Sequence, residues 1–345
     1  MVLGKDKSVS RFEDNGDVKP SYRFILSRSE HKTSFKMVSG LMVIYQYALL
    51  VLDFLQFCVC SFLLMIQAGW HVIFPKQLKN VVGEIILITG TGHGIGRELA
   101  LQFSRLGAKI ICLDINEANN KQTVADITRE GGTAWGYKCD VSNRGEIHSV
   151  CTKIREEIGQ ITILVNNAGI MPCKPFMKHT PEEIQKLFDI NVFSHFWMVR
   201  EWLPLFITSN KGHIVSMSSV AGLVATSNLV PYCSSKYAVK GLMDGLSEEL
   251  RYAGRHPDIK ITCVHPFVVD TGLAKKPRIR FPSFNPITTA ERCAELMIEG
   301  IRREDEMVCI PPKDFYCYKL VSLFPIGVQK AFVDFMDTGV DEHDN

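Results

Sequence analysis

From residue 80 onward, short apolar runs alternate with amphipathic helical windows. No other feature constrains the fold as much. The runs are GEIILITG (83–90), AKIICLDI (108–115), TAWGYKCDV (133–141), ITILVNNAG (161–169), GHIVSMSS (212–219), IKITCVHP (259–266) and EMVCIPP (306–312). Between the first two, Ile95, Leu99, Phe103 and Leu106 recur at helical spacing, and polar helices are expected over Glu117–Arg129 and Glu146–Ile158. A strand that is apolar at nearly every position must be covered on both faces, and helices between such strands are what covers them. The pattern therefore predicts an α/β fold, a doubly wound parallel sheet of about seven strands in a single domain spanning 80–312. Residues 267–289 read as a long loop or lid.

Composition removes other classes. The chain has 345 residues, 46% of them hydrophobic, and a net charge of +2 from 39 basic and 37 acidic side chains. Such a balance gives no electrostatic footprint for nucleic acid, and that apolar content is too high for disorder over most of the length. The 11 cysteines are scattered, with no C-x-x-C pair, so neither a zinc ribbon nor any other metal site is expected. With no N-x-[ST] sequon either, the catalytic part is expected to face the reducing cytosol.

The N-terminal part has a different character. Residues 1–36, with eight Lys/Arg and five Asp/Glu, read as a polar disordered arm. Residues 37–75 carry one formal charge, Asp53, and Leu41–Ile66 is apolar for 26 residues. A spanning helix needs about 20 such residues. This segment is expected to be a membrane anchor, either spanning or lying in the interface. Asp53 would be expensive at mid-bilayer. A buried core helix and a cleaved signal peptide are the other readings, but the apolar stretch is long for a signal and no A-x-A site follows. Met37 is a second candidate start. Residues 313–345 form an apolar C-terminal segment with an acidic tail. Pro325 should break Phe315–Met336 into two short interfacial helices or a lid over a binding mouth.

The first run leads into Thr89-Gly90-Thr91-Gly92-His93-Gly94-Ile95-Gly96. Alone, this is a glycine-rich turn. Between a strand and a helix it is a phosphate-binding loop, where glycines let the backbone approach a pyrophosphate and the helix start offers free N–H groups. Thr89, Gly90, Gly94, Ile95 and Gly96 are the candidate contacts. Asp114 ends the second run, 18 residues beyond Gly96, where a carboxylate accepts from a ribose and repels a 2′-phosphate. NAD is therefore expected. As a cation, His93 could reach a 2′-phosphate, which keeps NADP open. Asp140 and Val141 could meet the adenine edge, or Asp140 could be a turn carboxylate.

Tyr232 and Lys236 stand four apart and share a helix face, and Ser219 closes the fifth run 13 residues before Tyr232. A tyrosine near pKa 10 is a poor base, but an ammonium beside it favours the phenolate, and a serine can hydrogen-bond an alcohol or a carbonyl oxygen.

These motifs together resemble the short-chain dehydrogenase/reductase family: T-G-x-x-x-G-x-G at Thr89–Gly96, Asp140-Val141, Asn166-Asn167-Ala168-Gly169, Asn191, Ser219 and Tyr232-x-x-x-Lys236. The resemblance covers about residues 80–310 and implies a Rossmann-type fold with an NAD(P) cofactor. It implies that Asn167, Ala168 and Gly169 border the cofactor and that Asn191 holds a water in a proton relay through Lys236. Lys236 and Tyr232 would also contact the nicotinamide ribose, and Thr271 the carboxamide region. Where the family has Pro-Gly after its sixth strand, this chain has Pro266-Phe267. The anchor and the VHPFVVDTG segment are similar to the membrane- or lipid-droplet-associated branch of retinol and 17β-hydroxysteroid dehydrogenases. That likeness implies a lipophilic alcohol or ketone substrate and residence on endoplasmic reticulum membrane or lipid droplet. A homodimer is implied through the helix after Tyr232 and the helix from about Val192 to Leu205, whose apolar residues exceed what one sheet face should bury. Two other readings are a non-enzymatic nucleotide-binding scaffold and a nucleotide-sugar epimerase. The first need not keep Ser219, Tyr232 and Lys236 together. The second usually has a larger C-terminal domain.

Overall fold

The computed structural model describes residues 40–74, 76–253 and 258–342. The arm expected over 1–36 lies outside them. The chain divides into two compact units, 1–76 and 77–345.

Within the first unit, helix α1 runs over Gly40–Ile73. Its stretch Tyr45–Trp70 is long and apolar enough to cross a membrane, and none of that stretch is buried. At about 1.5 Å per residue, 26 residues reach about 39 Å, beyond a hydrocarbon core of about 30 Å.

The second unit is built on seven parallel strands: β1 (Ile85–Thr89), β2 (Lys109–Asp114), β3 (Thr133–Lys138), β4 (Ile163–Asn166), β5 (Gly212–Met217), β6 (Ile259–Pro266) and β7 (Met307–Ile310). Their spatial order is β7-β6-β5-β4-β1-β2-β3, every pair parallel. Alternate side chains serve two cores, as the two-residue period of a strand requires. Ile86, Ile88, Ile110 and Val165 pack with α2 (Gly94–Arg105) and α8 (Ala290–Arg303). Leu87, Ile111, Leu164 and Ile214 pack with α4 (Arg144–Glu157), α6 (Ser194–Ser209) and α7 (Val230–Ala253). β3, at the sheet edge, has no fully buried residue and is half exposed.

This packing corrects one expectation. Val239, Met243, Leu246 and Leu250 of α7 are all buried inside the one unit, with Met198 and Trp202 of α6. The sheet face buries these stripes by itself: α6 lies against β4 and β5, and α7 against β5 and β6. What α6 leaves outside includes Phe196 and Ile207, with Phe193 just before it.

The segment after β6 is tied down more than a loop would be. Val269–Asp270 pairs with Thr288–Thr289, and Pro277–Ile279 pairs antiparallel with Thr338–Val340 near the C-terminus. Between β7 and that last strand lie α9 (Lys313–Ser322) and α10 (Ile326–Met336), separated at Pro325, which precedes the first turn of α10.

Candidate active site

The strand order reverses between β1 and β4, and a crevice must open there at the carboxyl edge of the sheet. Thr89 closes β1. Its Oγ1 accepts from the backbone N–H of Asn167 (2.9 Å) and Ala168 (3.0 Å), while the Asn167 amide donates to the carbonyls of Thr89 (2.8 Å) and Gly90 (3.3 Å). The loop is thereby stitched to the end of β4. Gly90 (φ 75°) and Gly94 (φ 61°) occupy the left-handed region that favours glycine. Gly96 is required by contact: a Cβ there would lie 2.0 Å from the Gly90 carbonyl oxygen. Helix α2 starts at Gly94 with no side-chain cap and no acidic residue in its first turn, which leaves its leading N–H groups as anion donors.

Asp114 sits across this loop. Its carboxylate accepts from the N–H groups of Gly92 and Asn116, both at 2.7 Å. A carboxylate has about four acceptor sites, so capacity remains for a ribose. Asp140 is a turn carboxylate in part: one oxygen takes both the N–H (2.9 Å) and the hydroxyl (2.7 Å) of Ser142. Asp140 and Val141 border the same crevice as Asp114.

Ser219 lies two residues beyond β5, and Tyr232 and Lys236 project from the first turns of α7. Their exposures are 9%, 7% and 4%. Ser219 Oγ donates to the Pro266 carbonyl (3.2 Å) and accepts from Ala221 N–H (3.1 Å), and it is close enough to Tyr232 to influence its ionisation. Lys236 Nζ donates to the Met217 carbonyl (2.9 Å) and stands 5.6 Å from the centre of the Tyr232 ring. Burial dominates both ionisations. It pushes the Tyr232 phenol up to about 12, against the opposing pull of Ser219, and lowers Lys236 to about 8. The direction is opposite to the lowered phenol expected from the spacing, because desolvation is the largest influence on Tyr232.

Asn191 lies in a π-helical turn, Asp189–Phe193, between α5 (Pro181–Phe188) and α6. Both ends of its side chain are engaged. Oδ1 accepts from Ile170 N–H (2.9 Å), and Nδ2 donates to the Ile170 carbonyl (2.9 Å) and to Ser235 Oγ (3.2 Å). Asn191 thus clamps the chain just after Gly169, where a Cβ would stand 3.2 Å from Asn191 Oδ1 and 3.6 Å from Lys236 Nζ. Its side chain fixes the floor of the site and makes no bond to Lys236. Thr271 packs against the loop, 3.2 Å from the position of a Cβ on Gly94. Phe267 is absent from the positive-φ residues and its N–H donates to the Ile310 carbonyl (2.8 Å), so the missing glycine strains no backbone here.

One cavity of about 1170 Å³ joins these groups. It is bordered by Gly90, Gly94, Ile95, Gly96, Asp114, Asp140, Val141, Asn167, Ala168, Gly169, Ser219, Tyr232, Lys236 and Thr271; Thr89 and Asn191 support it from behind. The volume exceeds the roughly 300–1,000 Å³ of ordinary ligand pockets and leaves room for a dinucleotide and a second molecule. The glycine cradle, the uncapped helix start and the carboxylate at the far end fit such a dinucleotide.

Two contributors escaped the sequence reading. His265, one residue before Pro266 on β6, places Nδ1 3.0 Å from the Ser219 carbonyl. A carbonyl only accepts, so that nitrogen carries the hydrogen, and burial lowers the ring to about 4. The buried Asn120 binds the Thr91 hydroxyl (2.7 Å) and the carbonyls of Cys112 (3.0 Å) and Tyr137 (3.1 Å), bracing the loop against β2 and β3. The one signal for His265 was its place at a strand end. Asn120 had none, since it sits in a polar helix, α3 (Glu117–Arg129), among polar neighbours.

Residues 84–280 match the family profile described as short chain dehydrogenase. The chain belongs to the short-chain dehydrogenase/reductase family and is an NAD(P)-dependent oxidoreductase. It is 36% identical over 288 residues to epidermal retinol dehydrogenase 2 of Mus musculus, covering 83% of this chain and 93% of that protein. To estradiol 17-beta-dehydrogenase 11 of Mus musculus it is 37% identical over 246 residues, 71% of this chain and 81% of the other. Among solved structures, a short-chain dehydrogenase/reductase from Burkholderia phymatum in complex with NAD superposes with a TM-score of 0.64 at 26% identity, covering 70% of this chain and 94% of that one.

Proposed function

We propose that this protein interconverts a lipophilic alcohol, of retinoid or steroid type, and its carbonyl, with NAD preferred over NADP. The observation that carries the reading is the convergence of buried Ser219, Tyr232 and Lys236 on the cavity that also holds the phosphate loop. Bound cofactor would supply or accept the hydride. Ser219 holds the substrate oxygen. In the reducing direction Tyr232, a phenol kept protonated by burial, donates its proton to that oxygen, and Lys236 steadies the phenolate left behind. Oxidation runs the same path backward. Asn191 keeps Gly169 and Ile170 in place beside Lys236. The carboxylate of Asp114, at the adenosine end, supports NAD over NADP.

The chain is further read as membrane- or droplet-bound through α1, on endoplasmic reticulum or lipid droplets, with the second unit on the cytosolic side. Supporting this are the length and apolar character of α1 and a sequence with neither a C-x-x-C pair nor an N-x-[ST] sequon. A homodimer through α6 and α7 is supported by the exposed Phe193 and Phe196.

The test is turnover of retinol, estradiol and long-chain alcohols, with NAD and NADP separately, by membranes holding the full chain or Tyr232→Phe. The variant is expected to lose at least about 100-fold in turnover while still binding cofactor. Near-normal turnover by the variant would remove Tyr232 from the mechanism. Cofactor binding by the full chain without turnover of any of these alcohols would favour a nucleotide-binding scaffold.

A further inference from the structure

The turn between α9 and α10 exposes an uncharged, apolar run on the second unit. Residues 320–329 contain no charge, and Leu320, Leu323, Phe324, Ile326 and Val328 are all exposed, Leu323 by 81%. Lys319 and Lys330 flank this run on both sides and are exposed as well. An apolar tip between two lysines matches the order of a phospholipid surface, hydrocarbon inside and anionic headgroups outside, because long cationic side chains extend back to the headgroups. A protein partner would give no reason for paired cations around an uncharged tip. The same turn borders the catalytic cavity: Val321 and Ile326 line it, and Ile326 is also 66% exposed, so the cavity reaches the surface at this point. Phe284, on the segment tied to the C-terminal strand, is likewise both lining and exposed.

We propose that the α9–α10 turn inserts into a phospholipid surface and sets the cavity mouth there, so that a lipophilic substrate enters from the lipid phase without crossing water. The substrate route rests on the function proposed above; the insertion does not.

The experiment uses the full chain in phosphatidylcholine vesicles, with and without phosphatidylserine. A nitroxide on Leu323→Cys, with the signal from native cysteines subtracted using the unsubstituted protein, reports its surroundings. The label is expected to be reached by oxygen dissolved in lipid and shielded from an aqueous nickel complex. Kinetics then compare a long-chain alcohol held in the vesicles with a short water-soluble alcohol. Leu323→Glu combined with Phe324→Glu should raise KM for the vesicle-held alcohol about tenfold, leaving kcat and the short alcohol's KM unchanged. A label in water, or a label shielded equally without vesicles as in contact with a second copy of this chain, would overturn the insertion. Equal losses on both alcohols would overturn the route. If neither alcohol is turned over even by the unsubstituted chain, the proposed activity fails, and the label still decides the insertion.

Discussion

Gly96→Ala gives the sharpest test of how the site is built. At this position φ is not the obstacle; space is. A Cβ would stand 2.0 Å from the Gly90 carbonyl oxygen, 2.5 Å from Asn167 Nδ2 and 2.8 Å from the Gly90 carbonyl carbon. The first lies about 1.5 Å inside the roughly 3.5 Å at which non-bonded heavy atoms rest. Two of the three atoms are backbone and cannot rotate away. Overpacking of this kind costs about 1–3 kcal/mol, and displacing Asn167 endangers its two bonds to the loop at about 1 kcal/mol each. The sum, about 3–5 kcal/mol, corresponds to a Tm lower by about 10 °C for a unit of this size. Cofactor affinity should fall further than stability, because the displaced Gly90 lies in the phosphate cradle. Calorimetry and titration with NADH fluorescence read the two effects separately. Gly241→Ala, in α7 with no atom within 4 Å of the new Cβ, provides the contrast and should stabilise by up to about 1 kcal/mol. An alanine at 96 that melts and binds NADH like the unsubstituted protein would refute the close approach of α2 to the loop, and with it the geometry of the cradle.

Asp114→Ala should move cofactor preference toward NADP by at least about tenfold, measured as the ratio of kcat/KM for the two cofactors; an unchanged ratio would mean that another group selects. Burial lowers His195 and His213 to about 3 and His265 to about 4. Each binds a proton more readily unfolded than folded, so their stabilising effect is present above about pH 6.5 and is lost as pH falls toward those values. Urea unfolding should show stability falling between pH 6.5 and 4, by up to about 1.4 kcal/mol per pH unit for each ring, and His213→Asn should flatten that slope; a flat profile in the unsubstituted protein would contradict the neutral rings. The full chain should resist extraction from membranes by salt and alkali and yield to detergent, whereas release by salt alone would remove α1 from the membrane.

The seven strands were legible because burial on both faces leaves a mark at every position. Ile86 and Leu87 face opposite cores, yet both must be apolar, so the run reads as one block. Where only part of a strand is covered, as in β3, the mark weakens, and Trp135 and Tyr137 rather than aliphatics carry it. The segment 267–289 and the last strand escaped for the opposite reason. Pro277–Ile279 is three residues long, and its partner lies some sixty residues away, so neither length nor period betrays the pairing.

The site divides along the same line. Glycines at 90, 94 and 96 and the Tyr232–Lys236 spacing are visible because their constraints are local: a turn, a close approach, a shared helix face. What surrounds them is set by contacts between distant segments. Neither the clamp of Asn191 on Ile170, 21 positions apart, nor the bond from His265 to Ser219, 46 apart, has a sequence pattern. The ionisation of Tyr232 divides in the same way. Spacing places an ammonium near a phenol and argues for a lowered pKa, but the sign of the shift depends on how much water the fold removes from both. Burying Tyr232 and Lys236 together drives each toward its neutral form. Residue identity thus supplies the candidates, and burial sets the direction in which each of their ionisations is shifted.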